Sequence, residues 1–205
     1  VQQTAKKYLS LAEYLAREDA AEYKSEYYRG EVCAMATGGL NHARIMANFL
    51  YSLDRKLKGS DAESFVGDVK IHVESEQWFT YPHIMAIRGE PRFYEGRDDT
   101  VTNPWLAANI RFDTSRNDDS GERFRRYRAL ASLQEYFMID QHAMHVLHYS
   151  RLERLKWRMA EHWGEEEILH IASHNLEIPL HEIYDRVKFA QQKNRLKQGE
   201  PWCNK

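Results

Sequence analysis

The chain has 205 residues, the size of one ordinary domain, with a formal net charge of -2 and 10 histidines. Leu, Ile, Val and Phe make up 43 residues, about 21% of the chain, enough apolar material for one core. The balanced charge argues against a protein held on nucleic acid by bulk electrostatics, while leaving a local basic patch open. No apolar run approaches the roughly 18 residues of a membrane span. Val1 to Leu15 lacks the basic-then-apolar pattern of a secretory signal. Cys33 and Cys203 are too few for a disulfide framework and form no Cys-x-x-Cys. These features predict a soluble, cytoplasmic protein without membrane contact, with one domain over residues 1–187 and a polar tail over 188–205.

Ser10 and Glu13 form a capping-box pattern, and Leu11, Tyr14 and Leu15 follow at helical spacing, predicting a helix from about 10 to 22. Tyr27-Tyr28, Arg29-Gly30 and Glu31 to Met35 read as strand, tight turn, strand. Gly38-Gly39 interrupts the pattern. Asn41 then caps a second helix, whose stripe Ile45, Phe49, Leu53 ends near Lys58 before Gly59. Between Phe65 and Val73 the period becomes two, with Val69, Ile71 and Val73 on one face and Asp68, Lys70 and His72 on the other. That predicts one half-buried strand. Phe79–Ile87 reads as the next, with Pro82 near its start. A polar run, Glu90–Asn103, connects to a strand at Trp105–Phe112. Asp118–Leu130 returns to helical spacing through Phe124 and Tyr127. Tyr136–Ile139, Val146–Tyr149 and Trp157–Met159 read as further strands, and Ile178–Val187 ends in a short helix. The tail from Lys188 has no apolar stripe and is expected to be a frayed or exposed helix. The order of elements predicts an α/β or α+β sandwich.

Few residues announce chemistry by themselves. His142, His145 and His148 recur every three residues in a segment read as strand, where that spacing faces opposite sides and cannot converge on one ion. There is no His-Glu-x-x-His, no phosphate-binding Gly-rich loop and no Gly-x-Ser-x-Gly. Cys33 falls in an apolar strand, where an inert, packed thiol is expected. The one charge cluster is Arg116, Arg123, Arg125, Arg126 and Arg128. It reads either as a solvated helix face paired with Asp118, Asp119 and Glu122 or as a phosphate-contacting element.

Several segments together resemble the Uma-two (Uma2) group of endonucleases, within the restriction-endonuclease-like PD-(D/E)XK superfamily. They are Leu11-Ala12-Glu13-Tyr14-Leu15, Tyr27-Tyr28-Arg29-Gly30-Glu31-Val32, Asn41-His42, Asp68-Val69-Lys70-Ile71-His72-Val73, Tyr81-Pro82, Thr102-Asn103-Pro104, Gly121-Glu122-Arg123-Phe124, Ser132-Leu133-Gln134-Glu135-Tyr136 and Asp140-Gln141. They occur in family order from about residue 9 to 187. The resemblance implies a restriction-endonuclease-like fold, a central mixed β-sheet flanked by helices. It also implies DNA cleavage with a divalent ion. An Asp after Tyr-Pro and a Glu on the next strand would hold Mg²⁺, and a Lys in a helical Gly-Glu-Lys-Phe would support the transition state.

This chain departs at all three positions. His83 follows Tyr81-Pro82, Asn109 stands at the strand Glu when counted back from Gly121, and Arg123 stands at the Lys. The family's Leu-Ser-Pro-Ser-Thr stretch is replaced by Arg111-Phe112-Asp113-Thr114-Ser115. Asp, Glu and Lys sum to -1, whereas neutral His, Asn and Arg sum to +1. One unit-charge contact at about 4 Å is worth roughly 4 kcal/mol at an effective dielectric of about 20. Millimolar binding is only about 4 kcal/mol in all, so the loss of both acids predicts loss of Mg²⁺. Arg also stays charged at any accessible pH and cannot serve as a proton donor as Lys can.

The expectation is therefore a non-cleaving protein that binds nucleic acid or another partner, with no cofactor. His42, Arg116, Arg125 and Arg126 are its candidate nucleic-acid contacts. The alternatives are an active Mg²⁺-dependent endonuclease that recruits Asp68, Glu31 and Asp113, and a structural domain that self-associates as a homo-oligomer. Asp68, His72 and His83 read either as a plain hydrogen-bonded cluster or as a Zn²⁺ site.

Overall fold

In the computed structural model, which describes residues 8–35, 38–111 and 117–189 (backbone alone for 117–120), helix α1 spans Leu11–Asp19. The capping box starts it: Ser10 Oγ accepts the Glu13 N–H at 3.3 Å, and Glu13 accepts the Ser10 N–H at 2.8 Å. Strands β1 (Ser25–Tyr28) and β2 (Glu31–Ala34) form the predicted hairpin. Its two-residue turn holds Arg29 at φ 48° and Gly30 at φ 92°, both left-handed, as such a turn requires. Helix α2 (Leu40–Leu57) buries Ile45, Phe49, Leu53 and Leu57 as one stripe. Gly39, not Asn41, occupies the cap position. The Asn41 side chain instead donates to Lys188 O at 2.7 Å and accepts the Lys188 N–H at 3.2 Å, fastening the start of the predicted tail. The rest of that tail, from residue 190, lies outside the described residues.

Next come β3 (Ala62–Val66), β4 (Lys70–Val73), β5 (Trp78–Thr80), β6 (Ile84–Arg88), β7 (Phe93–Tyr94), β8 (Arg97–Val101) and β9 (Pro104–Arg111). Helix α3 (Asn117–Tyr127), β10 (Glu135–Asp140), β11 (His145–Glu153), β12 (Lys156–Trp163), β13 (Ile168–Ile171), β14 (Leu176–Pro179) and α4 (Leu180–Ile183) complete the described chain. The fold is α+β, with two six-stranded mixed sheets. One has the order β12-β11-β10-β9-β6-β3, and we call it the core sheet. The other, the lateral sheet, runs β2-β1-β5-β4-β8-β7. The core sheet packs one face on α2, α4 and the β13–β14 hairpin through Ile84, Leu106, Ile110 and Phe137. Its other face meets the lateral sheet and α3 through Met85, Ala107, Tyr136, Ile71, Trp78 and Tyr127. Helix α1 covers the far side of the lateral sheet, where Tyr14 stacks on Tyr27 at 5.0 Å.

The second sheet corrects two expectations. Residues 65–73 and 79–87 are not single strands: the chain changes sheets in the middle of each. It leaves the core sheet at Val66, turns at Gly67 (φ 63°) and joins the lateral sheet at Lys70. It then returns from Thr80 through Tyr81-Pro82-His83 to Ile84. The Gly67 N–H donates to His83 O at 3.1 Å, tying the two crossings together. The phase of the pattern runs on through the first crossing, where Phe65, Val69, Ile71 and Val73 all face the inter-sheet layer, and shifts at the second, where Trp78 and then Met85 and Ile87 face it.

The polar run 90–103 holds β7 and β8. Ion pairs from Asp99 to Lys70 and Arg97, and from Arg97 to Asp19, supply the anchoring that an apolar pattern would otherwise signal. The strand β13 was also not anticipated. Cys33 is a further correction: β2 is the edge of the lateral sheet, its residues Val32 to Ala34 are exposed, and the thiol is an exposed free cysteine. Cys203 lies outside the described residues. No helix among the described residues is long and apolar enough to cross a membrane.

Candidate functional site

The sheet crossings bring together side chains that are far apart in sequence. On β9, Leu106, Ala108 and Ile110 face α2, so the pleat turns Asn109 with Ala107 into the layer between the sheets. Asn109 is buried there. His83, at the second crossing, places Nδ1 3.3 Å from Asn109 Oδ1. The same nitrogen lies 3.1 Å from the donating Ile110 N–H. Asn109 Nδ2 donates to Tyr136 OH at 3.3 Å. Burial raises the Tyr136 phenol far above its ordinary value and pushes Tyr127 beside it up to about 12.

Arg123, on the second turn of α3, reaches the same layer. Its Nη1 and Nη2 donate to Glu26 Oε1 and Oε2 at 2.7 and 3.2 Å. Thr80 Oγ1 also donates to Glu26 Oε1, at 2.6 Å. Burial works against the Arg123 charge, but the Glu26 carboxylate overrides it and holds the guanidinium above its usual value. Burial pushes His83 down to about 3, with His42 and Arg123 adding repulsion and Asn109 opposing. The ring is therefore neutral near pH 7. His42 sits edge-on to it, ring centroids 4.5 Å apart, and its own pKa is lowered by burial. Gly38 makes that placement possible, because a Cβ there would fall 2.3 Å from the His42 ring.

Glu26 is the site residue that sequence reasoning missed. It lies one residue before the Tyr27-Tyr28 pair that marked the strand, and a lone acid there gives no signal. Its presence changes the local charge from +1 to zero: Arg123 and Glu26 cancel, and His83 and Asn109 are neutral. The divalent ion of the endonucleases that this sequence resembles needs hard carboxylate oxygens free to face it. The residues present do not fit that requirement. Glu26 is the carboxylate that the described residues bring into this cluster, and both of its oxygens are held by Arg123.

The other candidates stand elsewhere. Asp68 is exposed in the first crossing turn and ion-paired with Lys24. Glu31 starts β2, opposite Tyr28. His72 lies on the far face of the lateral sheet, stacked on Phe79 at 4.2 Å and edge-on to Tyr94 at 4.4 Å. The alternation of β4 that buries Ile71 and Val73 in the inter-sheet layer turns His72 away from His83, so Asp68, His72 and His83 form no zinc site. No group of three or more His, Cys, Asp or Glu among the described residues is arranged to hold a metal. His145 stacks on Trp163 at 3.7 Å, whereas His148 pairs with buried Glu135 at 2.8 Å.

On α3, Arg125 bridges Glu122 and Glu76 at 3.1 and 3.0 Å. Arg126 lies over the Tyr28 ring, 3.8 Å from its centroid. Asp113 and Arg116 lie outside the described residues, and the side chains of Asp118 and Asp119 are not described.

Comparison with known proteins agrees with this architecture. An uncharacterized protein from Synechocystis, sll1609, is 35% identical over 159 residues, covering 78% of this chain and 90% of its own. A second Synechocystis protein, slr1290, is 27% identical over 183 residues, covering 88% and 94%. A crystal structure of "a putative nuclease belonging to DUF820" from Anabaena variabilis shares the fold with a TM-score of 0.68 at 16% identity, over 86% of this chain and 97% of that one. The Uma2 family, whose description reads "Putative restriction endonuclease", matches residues 11–180, and the chain belongs to that family.

Proposed function

We propose that this protein keeps the nuclease fold as a nucleic-acid-binding protein and does not cut. The reading rests on one observation above all: His83, Asn109 and Arg123 cluster around a carboxylate that Arg123 already neutralises. A phosphodiester hydrolase that relies on Mg²⁺ holds it through one or two carboxylates free to face the ion, and this cluster offers an imidazole, a carboxamide and a closed ion pair. The rival active enzyme would recruit Asp68 and Glu31, but Asp68 is exposed and tied to Lys24, and Glu31 lies at the lateral-sheet edge. Among the arginines of α3, Arg126 is the best phosphate contact, since no carboxylate of the described residues pairs with it; Arg125 already engages two. His42, the other described candidate, is buried against His83 and offers a phosphate little surface, and Arg116 lies outside the described residues.

Fluorescence anisotropy with a labelled duplex and a labelled single strand, in chelator, tests the reading. Binding is expected to weaken linearly with log salt, at about -0.9 for each duplex phosphate neutralised. Arg126→Ala should lower the slope by about one. Binding to neither substrate at low salt would defeat the proposal in favour of a purely structural domain.

A further inference from the structure

The longest open edge of either sheet is β12. It has eight residues, pairs with β11 alone, and exceeds the other outermost strands β3, β2 and β7, which have five, four and two. An uncovered edge of that length is a template for another strand, and monomeric proteins usually blunt it. Here the edge carries apolar surface: Met159 and Trp163 are 55% and 58% exposed, and Leu155, at the hairpin tip, is 87% exposed.

The charges are sorted along it. Arg154, Lys156 and Arg158 stand at its beginning, and Glu161, Glu165 and Glu166 at or just past its end, all exposed. Lys156 bonds Glu153, and Glu161 accepts the Trp163 Nε1–H at 3.1 Å and lies 3.5 Å from His145 Nε2. Among the described residues, no ion pair engages Arg154, Arg158, Glu165 or Glu166.

We propose that β12 is a homodimer interface, at which two copies of this chain join antiparallel about a two-fold axis and extend the core sheets into one. Charge sorting selects this partner and this direction. Antiparallel pairing lays the basic beginning of one strand beside the acidic end of the other, twice over by symmetry, whereas parallel pairing sets like against like. A two-fold axis perpendicular to the sheet requires facing residues of equal parity. Centred near Ala160, it sets Trp157 across from Trp163 of the second copy, Met159 across from its Glu161, and Arg154 toward its Glu166. Main-chain hydrogen bonds then join the two edges, and the exposed Met and Trp side chains are covered. This inference does not depend on whether the protein binds nucleic acid.

Sedimentation velocity of the full chain over a concentration series tests it. The wild type is expected at twice the 24.3 kDa chain mass, dissociating as salt is raised. Arg154→Glu with Arg158→Glu, and separately Glu165→Lys with Glu166→Lys, should each weaken the dimer at least about tenfold. An equimolar mixture of the two double variants should restore a heterodimer, because each then offers the charge that the other lacks. Met159→Glu, which sets a carboxylate against Glu161 of the second copy, should also give a monomer with an unchanged circular dichroism spectrum. A monomeric wild type, variants that dimerise as well as wild type, or a mixture that fails to associate would overturn the proposal.

Discussion

Arg123 and Glu26 meet through two hydrogen bonds at 2.7 and 3.2 Å, joining α3 to β1 across 97 residues of sequence. Removing one member leaves the other charged and largely enclosed, so Glu26→Gln or Arg123→Met alone should cost about 3 kcal/mol. The double variant should cost less than the sum of the two, because no orphan charge remains. Urea unfolding of the wild type, both single variants and the double variant measures this coupling. Additive losses would mean that the pair contributes little.

His83 gives a pH dependence with a definite sign. Its folded pKa is pushed down to about 3 from 6.5, so below pH 6.5 the unfolded chain takes up a proton that the folded chain refuses. Its contribution to stability is complete above pH 6.5 and is lost as pH falls toward 3, with a slope approaching about 1.4 kcal/mol per pH unit. The slope between pH 6 and 4 should be shallower in His83→Gln than in wild type. An imidazole NMR resonance for His83 that titrates near pH 6.5 would contradict the neutral, buried ring described above.

Gly38 lets the His42 ring approach the backbone before α2. In Gly38→Ala, the added methyl carbon would lie 2.3 Å from that ring. His42 must then swing away from His83, at a cost of about 1–3 kcal/mol. Thermal unfolding should show the loss, and the variant His42→Ala with Gly38→Ala should recover part of it.

The separation of His83 and Asn109 predicts a gain of function. Their side chains are in contact at 3.3 Å, so His83→Asp with Asn109→Glu sets two carboxylates side by side. Two like charges that close raise one another's pKa unless a cation neutralises them. The double variant should therefore bind Mn²⁺ in the millimolar range, worth about 4 kcal/mol, by calorimetry near pH 7. The wild type should show no heat of binding at the same concentrations.

The juxtaposition of positions 83 and 109 was readable in outline because Tyr81-Pro82 and Gly121-Glu122 fix the register on either side. The helices α1 and α2, the β1–β2 hairpin and the strands from β9 to β12 were also legible, since α1 carries its own cap, α2 its apolar stripe, the hairpin its turn and the strands their apolar runs. The lateral sheet was not. Residues 69–73 alternate and Phe65 keeps their phase, so nothing in a period of two says that Val66 and Ile71 belong to different sheets. Gly67 was the available clue, read as an interior residue when its positive φ makes a corner. Glu26 stayed hidden for a related reason: its meaning depends on Arg123 and Thr80, which only the sheet crossing brings near. The burial of Lys70 against Asp99 and the exposure of Cys33 likewise follow from edges and layers that a single strand's pattern does not report.

Plasmid nicking by the purified full chain in Mg²⁺ or Mn²⁺, against a chelator control, tests the central claim most directly. The closed Arg123–Glu26 pair and the neutral His83–Asn109 contact predict no conversion of supercoiled plasmid above the control. Metal-dependent nicking that chelator abolishes and that Glu26→Gln removes would contradict the account.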